Sequence, residues 1–293
     1  MNIVIEKKWT YLIALSLIWG SSFILIKKSL LGLSPLQVGS LRIVFSSIII
    51  FLIAFNRIST IPKNKWIWIS LTAIIGTFFP SFLFAYAETQ IDSAVASILN
   101  SLVPMNTVLI GFAVFKISTT KTQSLGVLIG FIGTSTLIIS GADLNPDQNY
   151  LYAGLVIISS VLYAINVNLI KKHLYNVNAV SIAAGQFIVI FIPSIIVLIY
   201  SGFFNLEFDN KIYDSLIYVL ILSFFGTAMA KILFNKLIQI SSPVFASSVT
   251  YSMLIVSVVW GVLDGEYFNI NQAIATVLII VGVYFSNKKK PIY

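Results

Sequence analysis

Trp19-Gly20-Ser21-Ser22-Phe23-Ile24-Leu25-Ile26-Lys27-Lys28 is written twice in this chain. A shift of 144 positions brings up Tyr163-Ala164-Ile165-Asn166-Val167-Asn168-Leu169-Ile170-Lys171-Lys172, with an aromatic residue over Trp19, a small one over Gly20, and Leu-Ile-Lys-Lys unchanged. A second echo, 150 positions apart, sets Gly76-Thr77 and Phe82-Leu83-Phe84 against Gly226-Thr227 and Ile232-Leu233-Phe234, and Ala96-Ser97 against Ala246-Ser247. The six-residue change in offset falls on the longer polar connection near 203–214, so one insertion reconciles the two alignments. Internal repetition decides a fold before any single element is read. The chain reads as a duplication, divided into residues 1–146 and 147–293.

What is repeated is hydrophobic. Apolar residues make up 58% of the chain and charged residues 10%, and the mean hydropathy is +0.97. An ordinary soluble domain is about half apolar and about a quarter charged, so the composition indicates an integral membrane protein. The net charge of +8 is scattered between apolar runs instead of gathered into a patch or an arm, which argues against a nucleic-acid partner. With no cysteine there is no disulfide framework, thiolate metal site or thiol nucleophile. His173, the single histidine, adjoins Lys171 and Lys172 and reads as a solvated loop residue.

Crossing a hydrocarbon core takes about 20 apolar residues in a helix. Ten segments meet or approach that length, at roughly 9–27, 36–55, 66–86, 93–113, 122–141, 151–170, 179–201, 215–236, 243–263 and 270–286. Lys7 and Lys8 precede the first, which is too long for the apolar region of a cleaved signal and reads as a retained span. Continuous apolarity also excludes barrel strands, which alternate polar and apolar positions. The expected fold is therefore all-α, with ten transmembrane helices.

The connecting loops are sorted by charge. One side holds Lys7, Lys8, Arg57, Lys63, Lys65, Lys116, Lys121, Lys171, Lys172, Lys236 and Lys288 to Lys290, the other only Lys27, Lys28 and Lys211. That second side also carries Glu88, Asp92, Asp143, Asp147, Glu207, Asp209, Asp214, Asp264 and Glu266. The excess of Lys and Arg on cytoplasmic loops places both termini in the cytoplasm of a multi-pass cell-membrane protein. Five spans per copy oblige the second copy to enter the bilayer from the opposite side. Inverted five-helix repeats follow, the arrangement by which many secondary transporters build a site near the midplane. Lys27 and Lys28 break the charge rule while Lys171 and Lys172 obey it, as expected if both pairs descend from one ancestral loop.

An ionisable residue at membrane depth is a functional candidate by default. Lys231 follows Gly226-Thr227 in the eighth span and is a candidate for binding an anionic group in a central cavity, with snorkelling to the interface as the alternative. Arg42 in the second span aligns with Gln186 and suits a structural pair with backbone carbonyls or snorkelling better than a substrate contact. Glu88, at the end of the third span, reads as a solvated end charge. Among uncharged groups, Ser22, Asn100, Tyr163, Asn166 and Tyr251, with Trp19, are candidates for a cavity wall shared by the first, fourth, sixth and ninth spans, and Tyr86 at the end of the third is a further candidate. Packing between helices is the other role open to the small and hydroxylated residues. Pro104 suits either a gating bend or a static kink.

Taken together, Trp-Gly-Ser-Ser-Phe at 19–23, Pro35, Arg42, the small-residue run Ser93 to Ser97 leading to Pro104, Ala246-Ser247, Gly265-Glu266 and Gly282 resemble the EamA-like family of the drug/metabolite transporter superfamily. The resemblance spans residues 9–287. It implies ten helices in two inverted repeats, cytoplasmic termini, a central pathway and carriage of small metabolites, often export of amino acids. It also implies a Glu after the fourth helix of each half. Glu266 supplies the second, whereas Lys116 stands in the place of the first.

The function expected is a secondary transporter of small polar metabolites such as amino acids, an exporter or exchanger working by alternating access. Its partners are a small-molecule substrate and the lipid bilayer, with a homodimer one arrangement open to it. No nucleotide-binding loop occurs, no cofactor or metal is called for, and no acid–base pair or nucleophile marks an intramembrane enzyme. A non-catalytic signalling or scaffold protein is the alternative.

Overall fold

With no water in the hydrocarbon layer to satisfy peptide groups, runs of this kind fold as helices. The computed structural model describes residues 2–115, 121–144, 149–267 and 269–286, and these are helical with no strands among them. Lys116, Asp147, Lys288, Lys289, Lys290 and the expected boundary at 146/147 lie outside the described residues.

In chain order the helices are α1 (Asn2–Ser29), α2 (Pro35–Ala54), α3 (Lys63–Ala87), α4 (Ser93–Val114), α5 (Lys121–Leu144), α6 (Ala153–His173), α7 (Ala179–Tyr200), α8 (Asn210–Ile240), α9 (Phe245–Leu263) and α10 (Ile270–Ser286). Eight stretches, including all but α5 and α10, are long and apolar enough to cross a membrane. In the other two the apolar part is shorter, Leu125–Ser140 and Ile270–Phe285. These two pack along each other at small residues. A Cβ on Gly282 would lie 2.7 Å from Gly126 O and Gly130 Cα, the close backbone approach that small residues permit between membrane helices.

Local chemistry fixes where helices begin and turn. Ser34 and Gln37 close a reciprocal cap at the start of α2, with Pro35 in the first turn, where its missing N–H costs nothing. Asp209 caps α8 by accepting from Ile212 N at 2.9 Å. Gly265 adopts φ +85° and turns the chain after α9, so that Glu266 N donates back to Gly261 O at 2.9 Å.

Four of the long helices are irregular, and at places the sequence marks. The middle of α3 is π-helical over Ile74–Phe78 and that of α8 over Leu222–Met229; these segments contain the echoed Gly76-Thr77 and Gly226-Thr227. The fourth helix breaks between Asn100 and Val103, with Pro104 in the first turn of its second part. The ninth breaks between Ser247 and Val249. Apolar side chains such as Leu52, Leu151 and Ile196 point outward, exposed, while the polar residues Ser46, Ser160, Gln186 and Asn235 are buried among the helices. That distribution suits a lipid surround and a polar interior.

Candidate functional site

The irregular segments converge on one cavity. Its wall takes Trp19, Ser22 and Phe23 from α1, Arg42 from α2, Gly76, Thr77 and Ser81 from α3, and Asn100 and Val103 from the break in α4. The second half contributes Tyr163 and Asn166 from α6, Gly226, Thr227 and Lys231 from α8, and Ser247 and Thr250 at the break in α9. Thus α2, through Arg42, and α3, through Gly76, Thr77 and Ser81, join the first, fourth, sixth and ninth helices and the eighth, which Lys231 had already nominated.

Two helix carbonyls in this wall accept from side chains of distant segments. In an α-helix Gly76 O would accept from the N–H of residue 80, but residue 80 is proline and has none. Lys231 Nζ takes the carbonyl instead, at 2.9 Å. In α8 the N–H of Ala230, the ordinary partner of Gly226 O, bonds five residues back to Phe225 O. Trp19 Nε1 then donates to Gly226 O at 3.0 Å. A π-turn shifts hydrogen-bond register in this way and is common at functional sites. Here each shift ties a side chain from a distant part of the chain to an echoed glycine.

Arg42, 9% exposed, donates from Nε to Thr227 Oγ1 at 2.6 Å, four residues and one helical turn before Lys231. Sequence reasoning placed Arg42 in a structural pair with carbonyls or at the interface; the structure pairs it with a hydroxyl on the cavity wall. Lys231 is 7% exposed and faces the cavity instead of snorkelling. Among the described residues the ion pairs within 4 Å involve Lys27, Lys28, Asp264 and Glu266, so neither cavity cation has a carboxylate partner there. Thr77 Oγ1, Asn100 Oδ1 and Asn166 Oδ1 are buried in the same wall without a hydrogen bond, which leaves them for water or a solute. Aromatic contacts frame them, with Trp19 edge-on to Phe234 at 4.8 Å and Tyr163 stacked on Phe84 at 6.1 Å.

Of the eight residues nominated from sequence, Trp19, Ser22, Asn100, Tyr163, Asn166 and Lys231 line the cavity. Tyr86 is 36% exposed and Tyr251 is half-buried against the core; neither is on the wall. Gln186, the counterpart of Arg42, donates to Thr72 Oγ1 at 2.9 Å, away from the lining.

One end of the bundle carries an ionic cap. Lys27 Nζ lies 2.7 Å from Glu266 Oε1 and 3.3 Å from Asp264 Oδ2, and Lys28 pairs with Asp264. Glu266 also accepts from Ser93 N, Ser93 Oγ and Ala94 N at 2.6–3.0 Å, at the positive N-terminal end of α4. The charge anomaly at Lys27 and Lys28 is therefore locally neutralised. Burial pushes the Asp264 carboxyl up, but the hydrogen bonds and charges of Lys28 and Lys27 outweigh it and hold it below the ordinary aspartate value. Their echo Lys171 caps α8, donating to Ile238 O, Gln239 O and Ser241 O, so the two copies of Leu-Ile-Lys-Lys end at opposite ends of α9. Glu88, read from sequence as solvated, is buried just after α3, 6% exposed. His173 is the last residue of α6 and stacks on Trp68 at 3.6 Å, so it is not a free loop side chain.

The chain matches the EamA-like transporter family twice, over residues 8–139 and again over 151–288. A protein of Archaeoglobus fulgidus described as an uncharacterized transporter is 25% identical over 291 residues, covering 97% of this chain and all of its own. A protein crystal structure shares the fold at a TM-score of 0.63 and 15% identity, covering 96% of each chain.

Proposed function

This chain belongs to the EamA-like transporter family, and from that premise we propose that it is a secondary transporter moving small polar metabolites, such as amino acids, by alternating access through the cavity described above. That it is a membrane transporter rather than an enzyme follows from the family and from the transporter-named relative. The observation that carries the finer reading is the wall itself, to which both halves of the chain bring unpaired polar groups at broken or π-shifted helices. Helices interrupted beside a central site are how such transporters expose polar backbone without exposing it to lipid.

The proposed architecture is ten spans in two inverted repeats, residues 1–146 and 147–293, with both termini in the cytoplasm of the cell membrane. The charge sorting of the loops supports it, as do the π-segments at echoed motifs and the placement of Lys27 and Lys171 toward opposite ends of α9. Trp19, Ser22, Asn100, Tyr163, Asn166 and Lys231 are the proposed contacts to solute, with Arg42 and Thr77 added from the structure. Export or exchange is the proposed mode. The protein has no nucleic-acid role in this reading, and a homodimer is compatible with it.

The test is counterflow. Purified protein in liposomes preloaded with one unlabelled solute at a time is supplied with the same solute labelled outside. Transient accumulation above equilibrium, reduced by Asn166→Ala, is the expected result. Equal leak from loaded protein-free liposomes would remove the transport reading.

A further inference from the structure

The cavity wall carries two basic side chains, Arg42 and Lys231, and no carboxylate among the residues that line it. Arg42 spends Nε on Thr227, which leaves the two terminal nitrogens of the guanidinium fork, the edge that suits a carboxylate or phosphate in bidentate fashion. Lys231 spends one donor on Gly76 O and has three. Both are more than nine-tenths buried, both line the same cavity, and they are near enough for their charges to act on each other. Glu88 is the carboxylate whose charge Arg42 feels most directly, yet it makes no ion pair with it within 4 Å among the described residues and does not line the cavity.

A charge held away from water without a partner costs far more than a hydrogen bond returns. A neutral solute would compensate neither basic group, and a zwitterion would pair its carboxylate with one and set its ammonium against the other. A monoanion would leave one. Two negative charges on a compact body match the pair, and Thr77, Asn100 and Asn166 then meet the remaining hydroxyl or carbonyl groups of the solute.

We propose that the cavity binds small dianions, a dicarboxylate or a phosphate monoester, with one anionic group on the free edge of Arg42 and the other on Lys231. This rests on the reading of the cavity as the solute pathway, and it narrows that reading from polar metabolites to doubly charged ones.

Two readouts on purified protein test it with succinate, glycerol 3-phosphate, alanine and glutamine: shift of the unfolding temperature in detergent, and counterflow in liposomes. Succinate or glycerol 3-phosphate should raise the unfolding temperature and be carried, and whichever does so identifies the anionic group. Lys231→Met should remove the shift and cut uptake at least about tenfold, the effect of losing one charge-assisted contact. Lys231→Arg, which keeps the charge, should restore part of both. Should alanine or glutamine be carried and the dianions not, or should Lys231→Met leave dianion uptake unchanged, the proposal is overturned while the transport reading stands. If no solute is carried yet dianions still stabilise the wild type and not Lys231→Met, the binding proposal holds and the transport reading falls. A lack of both shift and flux with succinate and glycerol 3-phosphate overturns the dianion proposal.

Discussion

Lys27 and Glu266, 239 residues apart in sequence, meet at 2.7 Å, and the same carboxylate holds the first two amides of α4 through Ser93 and Ala94. One side chain thus ties the end of α1, the start of α4 and the turn after α9 together.

Replacing Glu266 tests that junction. The carboxylate side chain is 3% exposed and Lys27 31%. Removing it leaves two amides and a hydroxyl without their acceptor and Lys27 with Asp264 alone, at 3.3 Å. Glu266→Ala should cost about 2–4 kcal/mol of stability, read as a fall in unfolding temperature in detergent. Glu266→Gln, which keeps an oxygen for Ser93 and Ala94, should cost about half as much. In a double-mutant cycle with Lys27→Met, a coupling near 1 kcal/mol is expected, kept modest by the partial exposure of Lys27. Additive effects would show that the pair is incidental.

Asp264 sets how the cap responds to acid. Its folded pKa lies below the ordinary value, so it contributes stability that is fully present above the unfolded pKa of about 4 and is lost as pH falls through the folded value. The unfolding temperature of the wild type should therefore drop, as pH falls below about 4, by more than that of Asp264→Asn. The variant should be the less stable of the two at pH 6. Parallel pH profiles would rule the ion pairs out as a source of stability.

Gly76 faces Asn166 so closely that any Cβ must displace the amide, whose Nδ2 would sit 2.7 Å away. Gly76→Ala should destabilise by about 1–3 kcal/mol and depress flux, because the shifted amide belongs to the cavity wall. Combining it with Asn166→Ala should give less than the sum of the two costs, since the obstruction is gone. A strictly additive pair would mean that the helices separate instead of the amide moving.

Much of this was legible in the chain. Apolar runs of span length announce the helices because lipid offers the backbone no alternative. The echo of Gly76-Thr77 in Gly226-Thr227 marked the segments that turn out to be π-helical. The polar residues Asn100, Asn166 and Tyr163, conspicuous in apolar spans, do line the cavity. The failures share a cause. Arg42 in an apolar run has the same local sequence whether it snorkels or faces inward, and only its packing against Thr227, 185 positions away, separates the two. Glu88 looks like a span end and is buried by other helices. Tyr86 and Tyr251 sit within a residue or two of positions that face inward, and helical rotation carries them off the wall. Proline at position 80 denies Gly76 O its ordinary helical donor, but that Lys231 takes this carbonyl depends on which helix lies opposite.

The cysteine-free chain offers a direct test of alternating access. Cysteines replacing Lys28 and Asp264, which pair across the capped end, can be joined by a short bifunctional thiol reagent and counterflow measured before and after. If the cavity opens alternately to the two sides, cross-linking should abolish flux, and reduction of a disulfide-containing linker should restore it. Undiminished flux through the fully cross-linked protein would contradict the account.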